Sequence, residues 1–99
     1  MSGNGNQEVL NYYRNLTIRC CLDRRRRQSI DEEQFKSDAY LELKHNTNAP
    51  SDVLRSTVRL ALVITRTNPK ATPYELVAIV NQAVYLTDEG DLTFDKRAI

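Results

Sequence analysis

The stretch SDVLRSTVRLALVIT, residues 51–65, decides the fold because it is compatible with two secondary structures. The large apolar residues Val58, Leu60, Leu62 and Ile64 occupy alternate positions, a pattern that is also typical of a strand. A helix is favoured because Ser51 can act as an N-cap and the segment runs to about Thr67, too long for a typical strand. We therefore predict a helix over this stretch, closed by Pro69.

Two further helices are predicted on its N-terminal side. Apolar residues recur at spacings of four, three and four from about residue 7 to residue 27, which indicates an amphipathic helix. These residues are Val9, Tyr13, Leu16 and Cys20. A second helix is predicted to begin at a capping box formed by Ser29 and Glu32, and to stop before Pro50. Its apolar face carries Phe35, Ala39 and Leu43.

The clearest local signal is the segment TPYE, residues 72–75, which predicts the start of a fourth helix. Thr72 is the expected N-cap, Pro73 suits the first helical position and Glu75 completes a capping box. This helix is predicted to end at the TDEGD segment, where Gly90 acts as the breaker. The last residues, LTFDKRAI, either pair briefly or stay loose.

These elements predict an all-α fold, a compact bundle of about four helices with short loops and a loose C-terminal tail. Residues 1–6, rich in glycine and asparagine, are predicted to be a flexible lead-in. Residues 7–87 form the expected helical domain and residues 88–99 the tail. A chain of 99 residues is long enough for one such domain and too short for two.

The composition, 40% hydrophobic and 27% charged, is that of an ordinary globular chain. The longest apolar run is too short to cross a bilayer and no signal peptide is recognisable, so we expect a cytoplasmic protein without a membrane partner. Cys20 and Cys21 point about 100° apart on a helix and make a poor disulfide. With only His45 to join them, zinc would lack ligands. We expect small buried thiols and predict no metal and no cofactor.

Charge is segregated along the chain. Residues 14–27 contain six arginines and one acid, whereas residues 55–72 contain three arginines, one lysine and no acid. The segments after each of these are acidic. At about 100° per residue, Arg55, Arg59 and Arg66 share one side of their helix, opposite its apolar residues. Arg14 and Arg25 are predicted to face outward in the same way on the first helix.

These outward rows predict a surface for phosphate groups, because the planar guanidinium suits phosphate oxygens better than an ammonium does. The alternative is a solvated surface that pairs with the acids of neighbouring helices. Four adjacent arginines also suit a helix C-terminus, where the dipole is negative. The candidate nucleic-acid-binding residues are Arg14, Arg19, Arg24, Arg25, Arg26, Arg27, Arg55, Arg59, Arg66 and Lys70.

Catalysis finds little support in the sequence. The acids at residues 31–33 are accounted for by helix capping, and DEGD at residues 88–91 lacks the alternating ligands of a calcium loop. His45 has no nucleophile pattern around it and no phosphate-binding glycine loop is present. No catalytic residue is predicted, and we interpret the chain as a binding or scaffolding protein rather than an enzyme.

The segments RNLTIRCCLDRRRR, residues 14–27, and VLRSTVRLALVITR, residues 53–66, give the chain a resemblance to the small helical subunit of CRISPR effector complexes. The resemblance is one of architecture and charge. It implies a non-catalytic subunit of a nucleoprotein complex that holds RNA or DNA without cutting it and contacts other subunits, including copies of itself. The alternative function is a protein-interaction module, such as a regulator, adaptor or phage inhibitor, whose arginines meet an acidic protein surface.

Overall fold

A computed structural model of the chain describes the backbone of residues 2–99 and the side chains from residue 7 onward. Four helices follow one another: α1 (Ser2–Arg26), α2 (Glu32–Asn46), α3 (Ser51–Thr67) and α4 (Pro73–Ala83). Two short strands, β1 (Val84–Leu86) and β2 (Leu92–Phe94), and a 3₁₀ turn (Lys96–Ala98) complete the chain. The predicted all-α bundle with short loops is confirmed.

The backbone is helical from Ser2, so the first helix starts earlier than the predicted boundary at residue 7. The predicted lead-in includes Met1, which lies outside the described residues. The flexibility expected for residues 1–6 stays a prediction.

Helix α3 lies at the centre of the bundle and contacts α1, α2, α4 and β2. Its buried residues cover more than half of the helix circumference, because other elements pack on several of its sides. They are Val53, Leu54, Thr57, Val58, Leu60, Ala61, Leu62, Ile64 and Thr65. Because the buried arc is this wide, Val58 and Leu62 lie near one edge of it, and Leu60 and Ile64 lie near the other. The apparent strand alternation from Val58 to Ile64 is therefore a property of a deeply buried helix, and the predicted helix is confirmed.

Among the other three helices, the start agrees with the prediction at α4 and differs at α2 and α3. At α4 the capping box is complete: the Thr72 hydroxyl accepts from the Glu75 amide at 3.1 Å, and the Glu75 carboxylate accepts from the Thr72 amide at 2.9 Å. At α2 the predicted Ser29 cap is wrong, because Asp31 is the N-cap and accepts from the Gln34 amide at 2.8 Å. At α3 the N-cap is Pro50, so Ser51 is the first helical residue.

The fourth helix ends earlier than predicted, and of the two alternatives for the tail the structure shows brief pairing. Helix α4 ends at Ala83, and the next residues pair antiparallel with β2 in the register Val84 to Phe94 and Leu86 to Leu92. The connecting turn places Gly90 at φ 90°, where glycine is favoured because it has no Cβ. Val84 is fully buried and Phe94 packs against the helical core, so the tail is fastened by apolar contacts.

Both cysteines are free and buried, as the sequence predicts. Burial raises the pKa of the Cys21 thiol to about 12. It raises the pKa of Cys20 as well, with smaller contributions from Cys21 and nearby acids. The thiolate is the reactive form of cysteine, so these two side chains act as small apolar core residues.

Replacing Thr72 with alanine tests the capping box. The change leaves the Glu75 amide without its side-chain acceptor, and we expect the free energy of unfolding to fall by about 1 kcal/mol. For a domain of this size that corresponds to a melting temperature lower by roughly 4–8 °C. Urea and thermal unfolding followed by circular dichroism measure both values.

Thr67→Ala is the matched control, because Thr67 lies in the last turn of α3 and its hydroxyl donates to the Val63 carbonyl within the same helix. Such back-bonding contributes little to helix stability, so we expect a change within about 0.5 kcal/mol. Equal losses in the two variants would contradict the role assigned to the Thr72 cap.

Candidate binding surface between helices two and three

The predicted outward row of arginines on α1 is wrong. The Arg14 Nε donates to the Val84 carbonyl at 2.8 Å, and the Arg25 guanidinium donates to the Ala71 carbonyl. The Ala83 carbonyl accepts from the Asp95 amide, so the next carbonyl along β1 points away from β2 and towards α1. Both arginines therefore face the bundle and bind backbone groups around α4.

Most of the run Arg24–Arg27 also makes contacts within the fold. The Arg24 Nη1 donates to the carbonyls of Arg27 at 3.2 Å and Ile30 at 3.0 Å, and its guanidinium lies 5.3 Å from the Phe35 ring centroid. Both carbonyls lie after the end of α1, in the segment that leads to α2, and this arginine is their side-chain donor. The run therefore closes the C-terminus of α1 and holds the loop to α2.

The other two arginines of the run form ion pairs. The Arg27 Nη2 lies 2.8 Å from an Asp38 carboxylate oxygen on α2, and Arg26 pairs with Asp23 at 3.1 Å. The Arg26 side chain is still 77% exposed, so this second pair contributes little to stability. Of the predicted α1 residues, Arg26 and Arg19 have exposed side chains.

The predicted row on α3 does face away from the core: Arg55, Arg59 and Arg66 are all exposed. Arg66 is held by the Glu32 carboxylate in a bidentate pair, with distances of 3.1 Å from Nε and 2.6 Å from Nη2. Lys70 is exposed but lies in the turn after α3, outside the groove described below. The row therefore leaves Arg55 and Arg59 without a carboxylate partner among the described residues.

An open groove of about 490 Å³ runs between α2 and α3 beside this row. Its apolar lining comes from one side of α3, and its charged rim comes from both helices. The apolar residues are Val58, Leu62 and Val63, and the basic residues are Lys36, Arg55, Arg59 and Arg66. Glu32 and Glu33 are the acids of the rim, and one of them is neutralised by Arg66.

Tyr40 on α2 lies in this groove between two cations. The Arg55 guanidinium carbon is 5.6 Å and the Lys44 Nζ is 6.0 Å from the centre of its ring, both within the range of cation–π attraction. A hydrogen bond with Ser51 is the main cause that lowers the pKa of the Tyr40 phenol, and the Lys44 and Arg55 charges act in the same direction. The ring holds the Arg55 side chain against the groove.

The pKa of Glu32 is lowered, chiefly by its hydrogen bond from Arg66 and also by the Arg66 charge. The pair therefore stays ionised near neutral pH and its charges cancel. Lys36 forms a second ion pair, with 3.4 Å between its Nζ and a Glu33 carboxylate oxygen. The remaining charge at the rim therefore comes from Arg55 and Arg59. The arrangement is a moderately basic, partly apolar groove.

Three residues of this surface were missed by the sequence analysis as site residues: Lys36, Tyr40 and Lys44. Their signal is present in the sequence, because they follow one another at intervals of four and therefore share one side of α2. The spacing alone does not show what this side of α2 contacts. The packing of α2 on α3 shows it, because it places Tyr40 beside Arg55. Within the described residues, no three His, Cys, Asp or Glu side chains group as metal ligands would.

Searches of protein-family models, curated proteins and solved structures find no match to this chain. The resemblance to the small subunit of CRISPR effector complexes stays a prediction from sequence. Across residues 2–99, no helix has the length and apolar character needed to cross a bilayer.

Replacing Arg14 with methionine tests whether α1 arginines stabilise the fold. A hydrogen bond from a charged donor contributes about 1.5–3 kcal/mol, and the change leaves the Val84 carbonyl with no donor from α1. We expect the free energy of unfolding to fall by about 1–3 kcal/mol, measured by urea unfolding.

Arg19→Met is the matched control, with the same chemical change at an exposed position of the same helix. Surface changes of this kind usually alter stability by less than about 0.5 kcal/mol. If the two variants unfold at the same urea concentration, Arg14 does not stabilise the contact between α1 and β1.

Proposed function

We propose that this chain is a non-catalytic protein-interaction module, and that its α2–α3 groove binds an acidic amphipathic segment of a partner protein. The observation that carries the proposal is the combination of an apolar lining with a basic rim in one groove between two helices. An amphipathic helix that buries its apolar side in such a groove is a recurring mode of peptide recognition.

The apolar lining favours a protein segment over a nucleic-acid backbone. Val63 is partly exposed and offers aliphatic surface, above a floor formed by the buried side chains of Val58 and Leu62, and leucine or phenylalanine side chains of a partner can cover it. A phosphate backbone has no group that gains from this contact. The burial of Val58 and Leu62 in the core also fixes their positions, so the groove is formed before a partner arrives.

The basic rim of the groove favours a partner segment that carries carboxylates. Arg55 and Arg59 lie one helical turn apart on α3, which suits two carboxylates one turn apart on a bound helix. Their charges raise the association rate for an acidic segment and disfavour a basic one. Arg55 is also oriented by the Tyr40 ring, so less side-chain entropy is lost when it pairs.

The first test uses a synthetic helical peptide of about 15 residues, with leucines at positions i, i+3, i+4 and i+7 and glutamates beside them. We expect it to bind and to shift backbone amide signals of α2 and α3 in a two-dimensional NMR titration. Arg55→Ala with Arg59→Ala is expected to weaken binding about tenfold, which corresponds to about 1.4 kcal/mol.

The matched control combines Arg19→Ala with Lys70→Ala, which removes the same charge from exposed positions outside the groove. It should bind the peptide like the parent chain. A second control peptide, with lysine in place of every glutamate, should not bind. Equal weakening by the two double variants, or signal shifts confined to other helices, would overturn the proposal.

A second candidate function is a non-catalytic subunit of a nucleoprotein complex that holds a nucleic-acid backbone. The observation that favours it is a group of four cations: Lys36 lines the same groove as Arg55 and Arg59, and Lys44 lies at the Tyr40 ring that Arg55 also contacts. Phosphate groups bound there would follow the row, and Tyr40 offers a ring for a base. The resemblance noted in the sequence implies the same role, with RNA or DNA and other subunits as partners.

Fluorescence anisotropy with an oligothymidylate of about 20 nucleotides, and with a duplex of the same length, tests this candidate. Contacts to three phosphates predict a slope of log affinity against log salt of about −2 for a single strand. Changing Arg55 and Arg59 together to alanine should weaken binding and flatten that slope without unfolding the chain; Arg66 is left in place because it pairs with Glu32. An unchanged slope would exclude this face as the phosphate site.

A further inference from the structure

The two ends of the α2–α3 groove differ in charge. Helices α2 and α3 are joined by a short loop and run in opposite directions, so the start of α2 lies beside the end of α3. The ion pair of Glu32 and Arg66 marks one end of the groove, and the contact between Tyr40 and Arg55 marks the other. Arg55 and Arg66 are eleven positions apart on one helix, which separates the two ends by about 16 Å.

At the first end, each charged side chain that lines the groove has a partner. The Arg66 Nη2 lies 2.6 Å from a Glu32 carboxylate oxygen, and the Lys36 Nζ lies 3.4 Å from a Glu33 carboxylate oxygen. The two charges of each pair nearly cancel for any group that approaches from outside. This end of the groove, the paired end, is therefore close to neutral.

At the second end, the basic end, the cations lack such partners. Arg55, Arg59 and Lys44 are exposed, and none of them forms an ion pair among the described residues. Lys44 lies at the Tyr40 ring that Arg55 also contacts, so it belongs to this end. Asp52 is on the same side of α3 as Arg59, seven positions earlier, and its exposed carboxylate offsets one of the three positive charges. The basic end therefore keeps a positive charge that the paired end does not have.

The dipoles of α2 and α3 do not reverse this difference. Helix α2 ends and helix α3 begins near the basic end. The negative end of one dipole therefore lies beside the positive end of the other, and the same holds at the paired end. The side-chain charges decide how the two ends differ.

We infer that a helical partner segment lies in the α2–α3 groove with its C-terminus at the basic end, antiparallel to α3. The direction rests on the proposed function, because it concerns the acidic segment that we place in this groove. The C-terminus of a helix carries about half a negative charge, and its last carbonyls have no donor within the helix. Both features fit a site with unpaired guanidinium groups.

Another arginine of this chain already binds a carbonyl of a different element. The Arg14 Nε on α1 donates to the Val84 carbonyl of β1 at 2.8 Å, so a guanidinium reaches a backbone carbonyl across the boundary between two elements. Arg55 and Arg59 make no hydrogen bond among the described residues. Their donors therefore remain for the last carbonyls of a partner helix.

The reverse direction is less favourable at both ends of the groove. It brings the first amides of the segment, which carry partial positive charge, to Arg55 and Arg59. It also places the last carbonyls of the segment at the paired end, where the ion pairs already occupy both cations. We expect the preferred direction to be populated about five times more than the reverse, which corresponds to about 1 kcal/mol.

The direction also predicts where the partner segment carries its acids. Carboxylates in its last turns meet Arg55 and Arg59 in charge-assisted hydrogen bonds, whereas carboxylates in its first turns meet the nearly neutral paired end and gain little. The partner is therefore expected to be an amphipathic helix whose acidic residues are concentrated towards its C-terminus.

Paramagnetic NMR tests the direction with the synthetic leucine and glutamate peptide of about 15 residues that tests the proposed function. The peptide is blocked at both termini and carries a nitroxide label at either its first or its last residue. The label broadens nearby amide signals of the protein, and this effect falls steeply with distance. The label at the last residue should broaden the signals of Lys44 and Arg55 most, and the label at the first residue should broaden those of Glu32 and Arg66 most.

Two variants test whether the charges set the direction. Glu32→Gln with Glu33→Gln frees the two cations of the paired end, so both ends become basic and each label should broaden both ends. Adding Arg55→Ala and Arg59→Ala leaves the former paired end as the more basic one, and the order of broadening should reverse.

Arg19→Ala with Lys70→Ala is the matched control, because it removes two positive charges outside the groove and should keep the parent direction. Each measurement uses the peptide in excess, so that variants with weaker binding are also saturated. Circular dichroism checks that each variant keeps its helical content.

Two results would overturn the direction and leave the proposed function standing. One is a parent chain in which the labels broaden the two ends equally or in the opposite order, and the other is a preference that Glu32→Gln with Glu33→Gln leaves unchanged. A peptide that neither shifts nor broadens any signal of α2 or α3 would overturn the proposed function and the direction together.

Discussion

The burial of α3 is the constraint on which the rest of the structure depends. Its apolar side chains face α1, α2, α4 and β2 at once, and Leu54, Ala61 and Ile64 are almost completely shielded from water. A fully buried leucine or isoleucine contributes about 1.5–3 kcal/mol, so this helix supplies much of the hydrophobic stabilisation. Less than half of the α3 circumference remains for solvent, and that side carries Arg55, Arg59 and Arg66. The position of the candidate groove follows from this packing.

The arginines illustrate how one residue type serves two purposes in a small domain. Arg14, Arg24 and Arg25 donate to backbone carbonyls, which are costly to leave without a donor when they are removed from water. Five donors on a long side chain let arginine reach such carbonyls from a neighbouring helix. Arg55 and Arg59, by contrast, have no carbonyl or carboxylate to bind among the described residues. Arginines that make such internal bonds are not available to a nucleic acid. Only the remaining arginines count as evidence for nucleic-acid binding.

The two exposed surfaces of this chain have different physical characters. The α2–α3 groove joins aliphatic side chains to a basic rim, whereas the outward side of α4 exposes Tyr74 and the amides of Asn81 and Gln82 beside the acid Glu75. The two buried cysteines take no part in either surface.

The sequence alone determined the four helices, the helical state of residues 58–64, the capping box at Thr72 and the burial of both cysteines. These features depend on hydrogen bonds and side-chain periodicity within a few neighbouring residues, so a short window contains the information. Tertiary structure alone decided that Arg14 and Arg25 face inward, that the tail forms a hairpin, and that Tyr40 lies beside Arg55. Arg14 and its acceptor at Val84 are 70 positions apart, and Arg25 and Ala71 are 46 apart. Helical periodicity shows which side of a helix a residue occupies, but only the packing of distant segments determines what that side contacts.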